Sequence, residues 1–414
     1  MYIDSLALDS LRDEVHERDL VVGPAMEYPH LNYSMKAVRK AGTHLAGSIR
    51  FDPGSYREAL EIFSVANSWR DSHILPMRSV RLSVRARMRK FGLSGDMASR
   101  PKRMSSIRRK LRDSTCKLDQ VNDLGGCRAI MDDIAGVNSL IDSIHERFPH
   151  AVRQEWPYIQ QPKSDGYRSH HIVFQFQPQS ADQEAFAGRR IELQVRTRLQ
   201  HAWATAVEAV SLYRGQDLKH GKGDGDWLRL FELVSAEFAY VEGCFCSGAN
   251  IADRKERVRE LQDINRRIGA VNVLDNIKNA THFAERFLHE RGRYYLLRYG
   301  KDHSVKVETY DTIMAATGEL GRSEVVLESG ESDERVVLVE VDKVDKLIQT
   351  YPNYFGDVSL FVANLRKICD GQNAVEYTMA PQEVVRPKKV EAANPDQWRR
   401  RYTKWIEPGN RHHP

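Results

Sequence analysis

The sequence predicts an α/β (α+β) chain of more than one domain, and three observations carry that prediction. Its 414 residues exceed what a single core ordinarily organises. Helical spacing of apolar residues over 55–112 gives way to alternating strand-like and helix-like segments from 127 to 213. After a long helical stretch, a second set of strand-like segments begins near Tyr294 and predicts a smaller C-terminal α+β domain.

In chain order, residues 1–50 read as an N-terminal arm with one short helix at 34–41. From 55 to 91, Leu60, Phe63, Val65, Trp69, Val80, Leu82, Val84 and Met88 follow a helical period, and Pro76 divides the stretch into two helices. A third helix starts after Pro101, which suits a first turn, and runs to about 112. Strands are predicted at 127–132, 169–177 and 189–196, and helices at 137–147, 199–213 and 227–240. Four glycines in the twelve residues 215–226 mark a loop. Helical patterning over 251–291 forms a connector. In the unit at 292–385, YYLLRYG, SVKVETY and RVVLVEV read as strands, and 312–320, 344–350 and 358–370 as helices, with Gly371 closing the last.

Composition excludes several classes. At 41% hydrophobic and 29% charged, the chain is neither disordered nor fibrous. No apolar run approaches the roughly 18 residues that span a bilayer, so no membrane partner is expected. The start, MYIDSLALDSLRDEVHERDL, lacks a basic region followed by an apolar one, so a cytoplasmic location is expected. Five cysteines (Cys116, Cys127, Cys244, Cys246, Cys369) are too few for a disulfide framework. Cys244 and Cys246 lack a second ligand pair and read as ordinary thiols rather than a zinc site. The net charge of +5 resides in residues 386–414, where eight Lys/Arg meet three Asp/Glu. Within the neutral remainder, Arg78 to Arg112 holds thirteen bases against one acid, Asp96. Such a block is a solvated face or a polyanion site.

Four segments carry candidate chemistry. In Arg100-Pro-Lys102-Arg-Met-Ser-Ser106-Ile-Arg-Arg-Lys110, the spacing i, i+4, i+8 puts Lys102, Ser106 and Lys110 on one helix face, offering two ammonium groups and a hydroxyl to a triphosphate. In Asp123-Leu-Gly-Gly-Cys-Arg128, a carboxylate able to hold Mg²⁺ precedes a strand that carries an arginine. The third segment is Tyr158-Ile-Gln-Gln-Pro-Lys163-Ser-Asp165-Gly166-Tyr167-Arg-Ser-His-His171. Its Asp-Gly turn can present Tyr167 as a stacking surface and leave Lys163 free to reach phosphate. Beyond it Ile172, Phe174 and Phe176 alternate inward, so His171 faces the wetter side. In Arg190-Ile-Glu192-Leu-Gln194-Val-Arg196-Thr197, Glu192, Gln194 and Arg196 share the face opposite Ile191, Leu193 and Val195. A hairpin with 169–177 would bring His171 near Gln194 and Arg196. Each segment alone also reads as a turn, an ion pair or a mixed surface strand.

Together the four blocks, in this order and at these separations, resemble the synthetase domain of the RelA/SpoT family over about 55–245. Trp69-Arg70-x-x-His73-x-x-Pro76 is similar to the helix that enters that domain. The resemblance implies a nucleotidyltransferase-like mixed sheet flanked by helices, in a domain taken as 51–250. It also implies transfer of pyrophosphate from ATP to the 3′-hydroxyl of GDP or GTP, with Mg²⁺ as cofactor. By that likeness Arg100 and Arg128 clamp adenine, while Lys102, Ser106 and Lys110 bind its phosphates. Asp123 and Glu192 hold the metal, and Glu192 is also the base. Lys163, Asp165, Tyr167, His171, Gln194 and Arg196 form the acceptor pocket.

The chain departs from the family at Asp165, where Asn is usual, and in RLQHAWATAVEA after Thr197, with Glu208 displaced by a residue. Its fifteen histidines include no His-Asp pair, and only about fifty residues precede the synthetase-like helices, so no hydrolase domain is expected. Two alternatives stand beside alarmone synthesis. One is a toxin-like relative acting on adenine nucleotides or the 3′ end of tRNA. The other is a nucleotide-binding regulator without turnover. The tail from 386, with Trp398, Tyr402 and Trp405 among basic residues, suits RNA contact and equally a solvated end.

Overall fold

The structure, a computed structural model, describes residues 28–49, 55–214, 216, 218, 221–244, 253–285, 294–299, 305–332, 334–340 and 358–375. The arm before 28, the expected helix at 344–350, Cys246 and the basic tail lie outside the described residues.

Helix α1, Met35–Ala46, is capped by Ser34, whose hydroxyl accepts the Ala37 N–H at 3.2 Å. Helices α2 (Tyr56–Asp71) and α3 (Ile74–Lys90) meet at Ser72 and His73 rather than at Pro76. The proline sits in the first turn of α3, where a missing N–H costs nothing. Strand β1 (Gly95–Pro101) then precedes α4 (Met104–Asp113). Next come β2 (Gly125–Met131) and α5 (Ile134–Glu146), whose cap Asp133 accepts the Gly136 N–H at 2.7 Å. Strands β3 (Ala151–Pro157), β4 (His170–Gln175) and β5 (Arg190–Thr197) lead into α6 (Arg198–Arg214) and α7 (Gly225–Val241). The connector consists of α8 (Arg254–Ile268) and α9 (Ala270–Glu285), parted by Gly269 at φ 61°. Beyond it lie β6 (Tyr294–Tyr299), β7 (Val305–Tyr310), α10 (Ile313–Ser329), β8 (Arg335–Glu340) and α11 (Ser359–Cys369).

The fold is a mixed sheet flanked by helices. Strand order is β3-β4-β5-β2-β1-β8-β6-β7. β2 and β5 run parallel, while β1–β2, β3–β4 and β4–β5 are antiparallel, so the expected β4–β5 hairpin is present. The three strands after 292 continue this sheet, β8 meeting β1 at the single pair Ser99↔Glu340. Helix α10 packs Val325 against the α1–α2–α4 core around Phe63, Met104 and Ile107. Helix α11 sends Phe361 and Leu365 into the core of α6–α9 beside Trp203, Trp227 and Phe231.

One face of the first five strands is covered by α3 and α5. Val80, Val84, Leu140 and Ile141 meet Ile172, Phe174, Ile191, Leu193 and Val195 there. That burial fixes the register, because a slip of one residue would turn every apolar side chain outward. The opposite face is thereby left to Arg128, Glu192, Gln194 and His171. Among the described residues, no helix is long and apolar enough to cross a membrane, and Cys116, Cys127, Cys244 and Cys369 are free thiols.

Candidate active site

The site begins where β1 ends. Lys102 does not belong to α4: Pro101 closes the strand, the Lys102 N–H donates to Leu124 O at 2.8 Å, and the helix starts at Met104. Ser106 and Lys110 do lie on α4, opposite the buried Met104, Ile107 and Leu111. Even so, the ammonium groups converge. Lys102 Nζ donates to Oδ2 of Asp123, and Lys110 Nζ to Oδ1 at 2.9 Å. Burial pushes the Asp123 carboxyl up, but the two lysines outweigh it and hold it well below the usual carboxylate range. Lys102 is shifted down, mainly by burial; at Lys110 burial is outweighed by Asp123 and Glu192, which push it up. Glu192 acts on both lysines, so the two halves of the site share one field.

The sheet register aligns the rest. Across it run the rows Ala98–Arg128–Gln194–His171 and Arg100–Gly126–Glu192. Side chains in paired positions share a face, which puts Arg100 and Arg128 on the Glu192 side. Glu192 receives two hydrogen bonds, from His171 Nδ1 at 3.2 Å and Gln194 Nε2 at 2.9 Å. His171 Nε2 in turn accepts the Tyr167 hydroxyl at 2.9 Å. The carboxylate accepting at Nδ1 assigns this tautomer. Burial raises the Glu192 carboxyl, but the hydrogen bonds from His171 and Gln194 bring it below its ordinary value.

Arg196 shares the polar face with Glu192 and Gln194 and is 2% exposed, because α6 covers it and it hydrogen-bonds His201. Burial, then the nearby Arg128, pull the guanidinium down to about 9. Arg128 Nε and Nη1 and Arg196 Nε are buried without a hydrogen-bond partner. Unpaired buried donors of this kind favour an incoming acceptor.

The turn at 163–167 is built by the chain itself. Asp165 Oδ1 accepts the Tyr167 N–H at 2.9 Å, and Gly166 N–H donates to Lys163 O at 2.9 Å. Gly166 has φ 88°, and a Cβ there would lie 3.0 Å from Ser235 Cβ and 3.2 Å from Glu232 Cα. Lys163 Nζ sits 4.8 Å from the Tyr158 ring centre and 5.2 Å from that of Tyr167. Two supporting residues escaped the sequence reading. Ser235 on α7 donates to Gly166 O, and buried Arg168 donates to Ile159 O at 2.9 Å and Ser235 Oγ at 3.2 Å. Only their neighbourhood to the turn could have drawn notice to Arg168; nothing local marks Ser235.

Asp123 and Glu192 supply hard oxygen donors kept ionised, which fits a divalent cation such as Mg²⁺. Among the described residues no group of three or more His, Cys, Asp or Glu is gathered, so phosphate oxygens and water would complete the shell.

Residues 99–217, which hold both halves of this site, match the family model described as the region found in RelA / SpoT proteins. Over those residues the chain is similar to RelA/SpoT proteins. It is 25% identical over 114 residues to the GTP pyrophosphokinase of Photobacterium angustum, covering 28% of this chain and 14% of that protein. Over 118 residues it is 26% identical to the GTP pyrophosphokinase of Escherichia coli, covering 28% and 15%. The chain thus spans about a seventh of the length of these curated relatives. Among solved structures it is similar to the small alarmone synthetase 1 of Bacillus subtilis bound to its product pppGpp. That match has 16% identity, a TM-score of 0.37, and coverage of 42% of this chain and 90% of that one.

Proposed function

We propose that the RelA/SpoT region transfers the β,γ-pyrophosphate of ATP to the 3′-hydroxyl of a guanine nucleotide, GDP or GTP. The observation that carries this reading is the juxtaposition of two charge clusters, one at the end of β1 and on α4, the other on the polar face of β4 and β5. Lys102 and Lys110 meet at Asp123, beside the line Tyr167–His171–Glu192–Gln194. Phosphoryl-type transfer needs positioning and charge neutralisation more than covalent help, and these clusters supply both.

In this reading a triphosphate draws Lys102 and Lys110 from Asp123 onto its own oxygens, with Ser106 donating between them. Arg100 and Arg128 receive the adenine, and the orphaned Arg128 N–H groups gain acceptors. Asp123, once vacated, and Glu192 would hold Mg²⁺, and the ion would supply charge neutralisation on the transferred group. Tyr167 stacks on the acceptor base, Lys163 reaches its phosphates, and His171, Gln194 and Arg196 close the pocket. Glu192, kept ionised, takes the proton of the 3′-hydroxyl as its oxygen bonds to the β-phosphorus; the β-phosphorus to α-oxygen bond breaks and AMP leaves. Asp165 Oδ1 accepts the Tyr167 backbone N–H, a task that the carbonyl of Asn performs equally, so the turn itself tolerates the departure at 165.

The test is incubation with Mg²⁺ and ATP labelled in the γ-phosphate, with GDP, GTP, ADP and bulk tRNA offered separately. Label on GDP or GTP is expected. Label on ADP or tRNA alone would replace the guanine acceptor, and no transfer by folded protein that binds ATP would leave a regulator.

A further inference from the structure

The phosphate-binding segment is held from outside the RelA/SpoT region. Glu324, on α10, lies 220 residues beyond Met104 and accepts its backbone N–H at 2.8 Å. Met104 is the first residue of α4, so Glu324 caps the helix that carries Ser106 and Lys110. The carboxylate is 3% exposed and its other oxygen pairs with Arg70 of α2, which is fully buried. One turn further, Glu328 pairs with Arg108 of α4. Close approach is built in: a Cβ at Gly321 would lie 3.1 Å from Asn67 Nδ2 on α2. At the other end of the segment, β8 pairs with β1 at Ser99. The stretch from Ser99 to Met104, which contains Arg100 and Lys102, is therefore tied at both ends to residues 313–340.

A free helix N-terminus attracts phosphate through its unpaired N–H groups and the helix dipole. At α4 a buried carboxylate already fills that place. Phosphate arriving there is repelled, and the ammonium row on the flank is the route left to it.

We propose that Glu324 is a positioning residue for the donor nucleotide. Clamped by Arg70, it fixes the start of α4 and so sets Lys102, Ser106 and Lys110 for the ATP phosphates. This rests on the reading of that row as the ATP site. Helix α10 then acts as an in-cis brace on donor affinity, and has no part in holding the acceptor.

The experiment measures ATP binding to the full chain by calorimetry without acceptor, then KM for ATP and for acceptor separately. Glu324→Gln keeps an acceptor for the Met104 N–H but removes the charge, whereas Glu324→Ala removes both. Glu328→Gln perturbs the same helix pair at a partly exposed position. The comparison variant is Glu237→Gln, which breaks the pairing of the fully buried Glu237 with the partly exposed Arg254 and with Arg257 inside the α7–α8 contact. ATP affinity is expected to fall about five- to tenfold in Glu324→Ala, less in Glu324→Gln and least in Glu328→Gln, with acceptor KM changed under about twofold. Glu237→Gln should lower thermal stability without this split. ATP affinity indifferent to residues 324 and 328, or a loss matched by Glu237→Gln, would overturn the inference alone. A wild-type protein that binds no ATP would overturn the reading beneath it.

Discussion

His171 Nδ1 donates to Glu192 Oε1 at 3.2 Å, and this contact sets the charge state of the proposed base. Burial alone would leave Glu192 inclined to hold a proton; His171 reverses that. Removing it in His171→Ala should raise the Glu192 carboxyl. Since the base works only when ionised, the acid limb of the kcat/KM profile should move to higher pH. Rate at neutral pH should fall on the order of 10²-fold, within the range for a displaced acid–base partner. A profile with an unmoved acid limb would separate His171 from Glu192.

The lysine pair gives a second expectation. Lys110 is the more exposed of the two partners of Asp123. Lys110→Met should raise KM for ATP about tenfold, the usual scale for one charge-assisted contact, and leave the acceptor KM unchanged. Steady-state kinetics with each substrate varied in turn checks this. An effect on the acceptor alone would reassign the row.

At Asp165 the hydrogen bond to Tyr167 N–H separates turn from recognition. Asp165→Asn should stay within about twofold of wild type and keep the same acceptor, because either oxygen can accept. Asp165→Ala should raise acceptor KM by releasing the turn. A changed acceptor preference in Asp165→Asn would show that this side chain reads the base.

Stability should fall in acid. Burial, then the charge of Arg189, hold His73 down to about 3, and burial holds His150 down to about 4. Both are neutral in the fold and take up protons on unfolding, near an ordinary pKa of about 6.5. Between those values the unfolded state binds more protons, so stability rises with pH and is lost as pH falls below about 6.5. Asp71, pushed up to about 6 by burial despite Arg70, acts the other way from about 4 to 6, one group against two. Melting temperature measured from pH 7 to 4 should decline, and His73→Gln should flatten the decline. A flat profile in the wild type would remove His73 as its source.

Much of the site was legible because one sheet face is buried. The alternation Ile191, Leu193, Val195 against Glu192, Gln194 has a period of two that suits a half-covered strand; with the hairpin it brings His171 near Gln194 and Arg196, and the register sets His171 opposite Gln194. Strands β1 and β3 escaped for physical reasons. β1 holds Gly95 and Pro101 and lacks apolar alternation, and β3 is an edge strand whose first four residues are exposed. The helical spacing of Lys102 was coincidental: it meets Lys110 because Asp123 draws both, not because they share a helix. Arg196 reads as polar surface until α6 is folded over it. Glu324 could not be found from local pattern at all, since its partners lie in α2 and α4.

The central claim concerns which bond of ATP is broken. Phosphorus NMR of a reaction with ATP, GDP and Mg²⁺ resolves it, since pyrophosphate transfer and single phosphoryl transfer leave different products. The expected result is AMP formed in equal amount to a guanosine carrying a 3′-diphosphate. Accumulation of ADP with a monophosphorylated acceptor, or with inorganic phosphate and unchanged GDP, would contradict it.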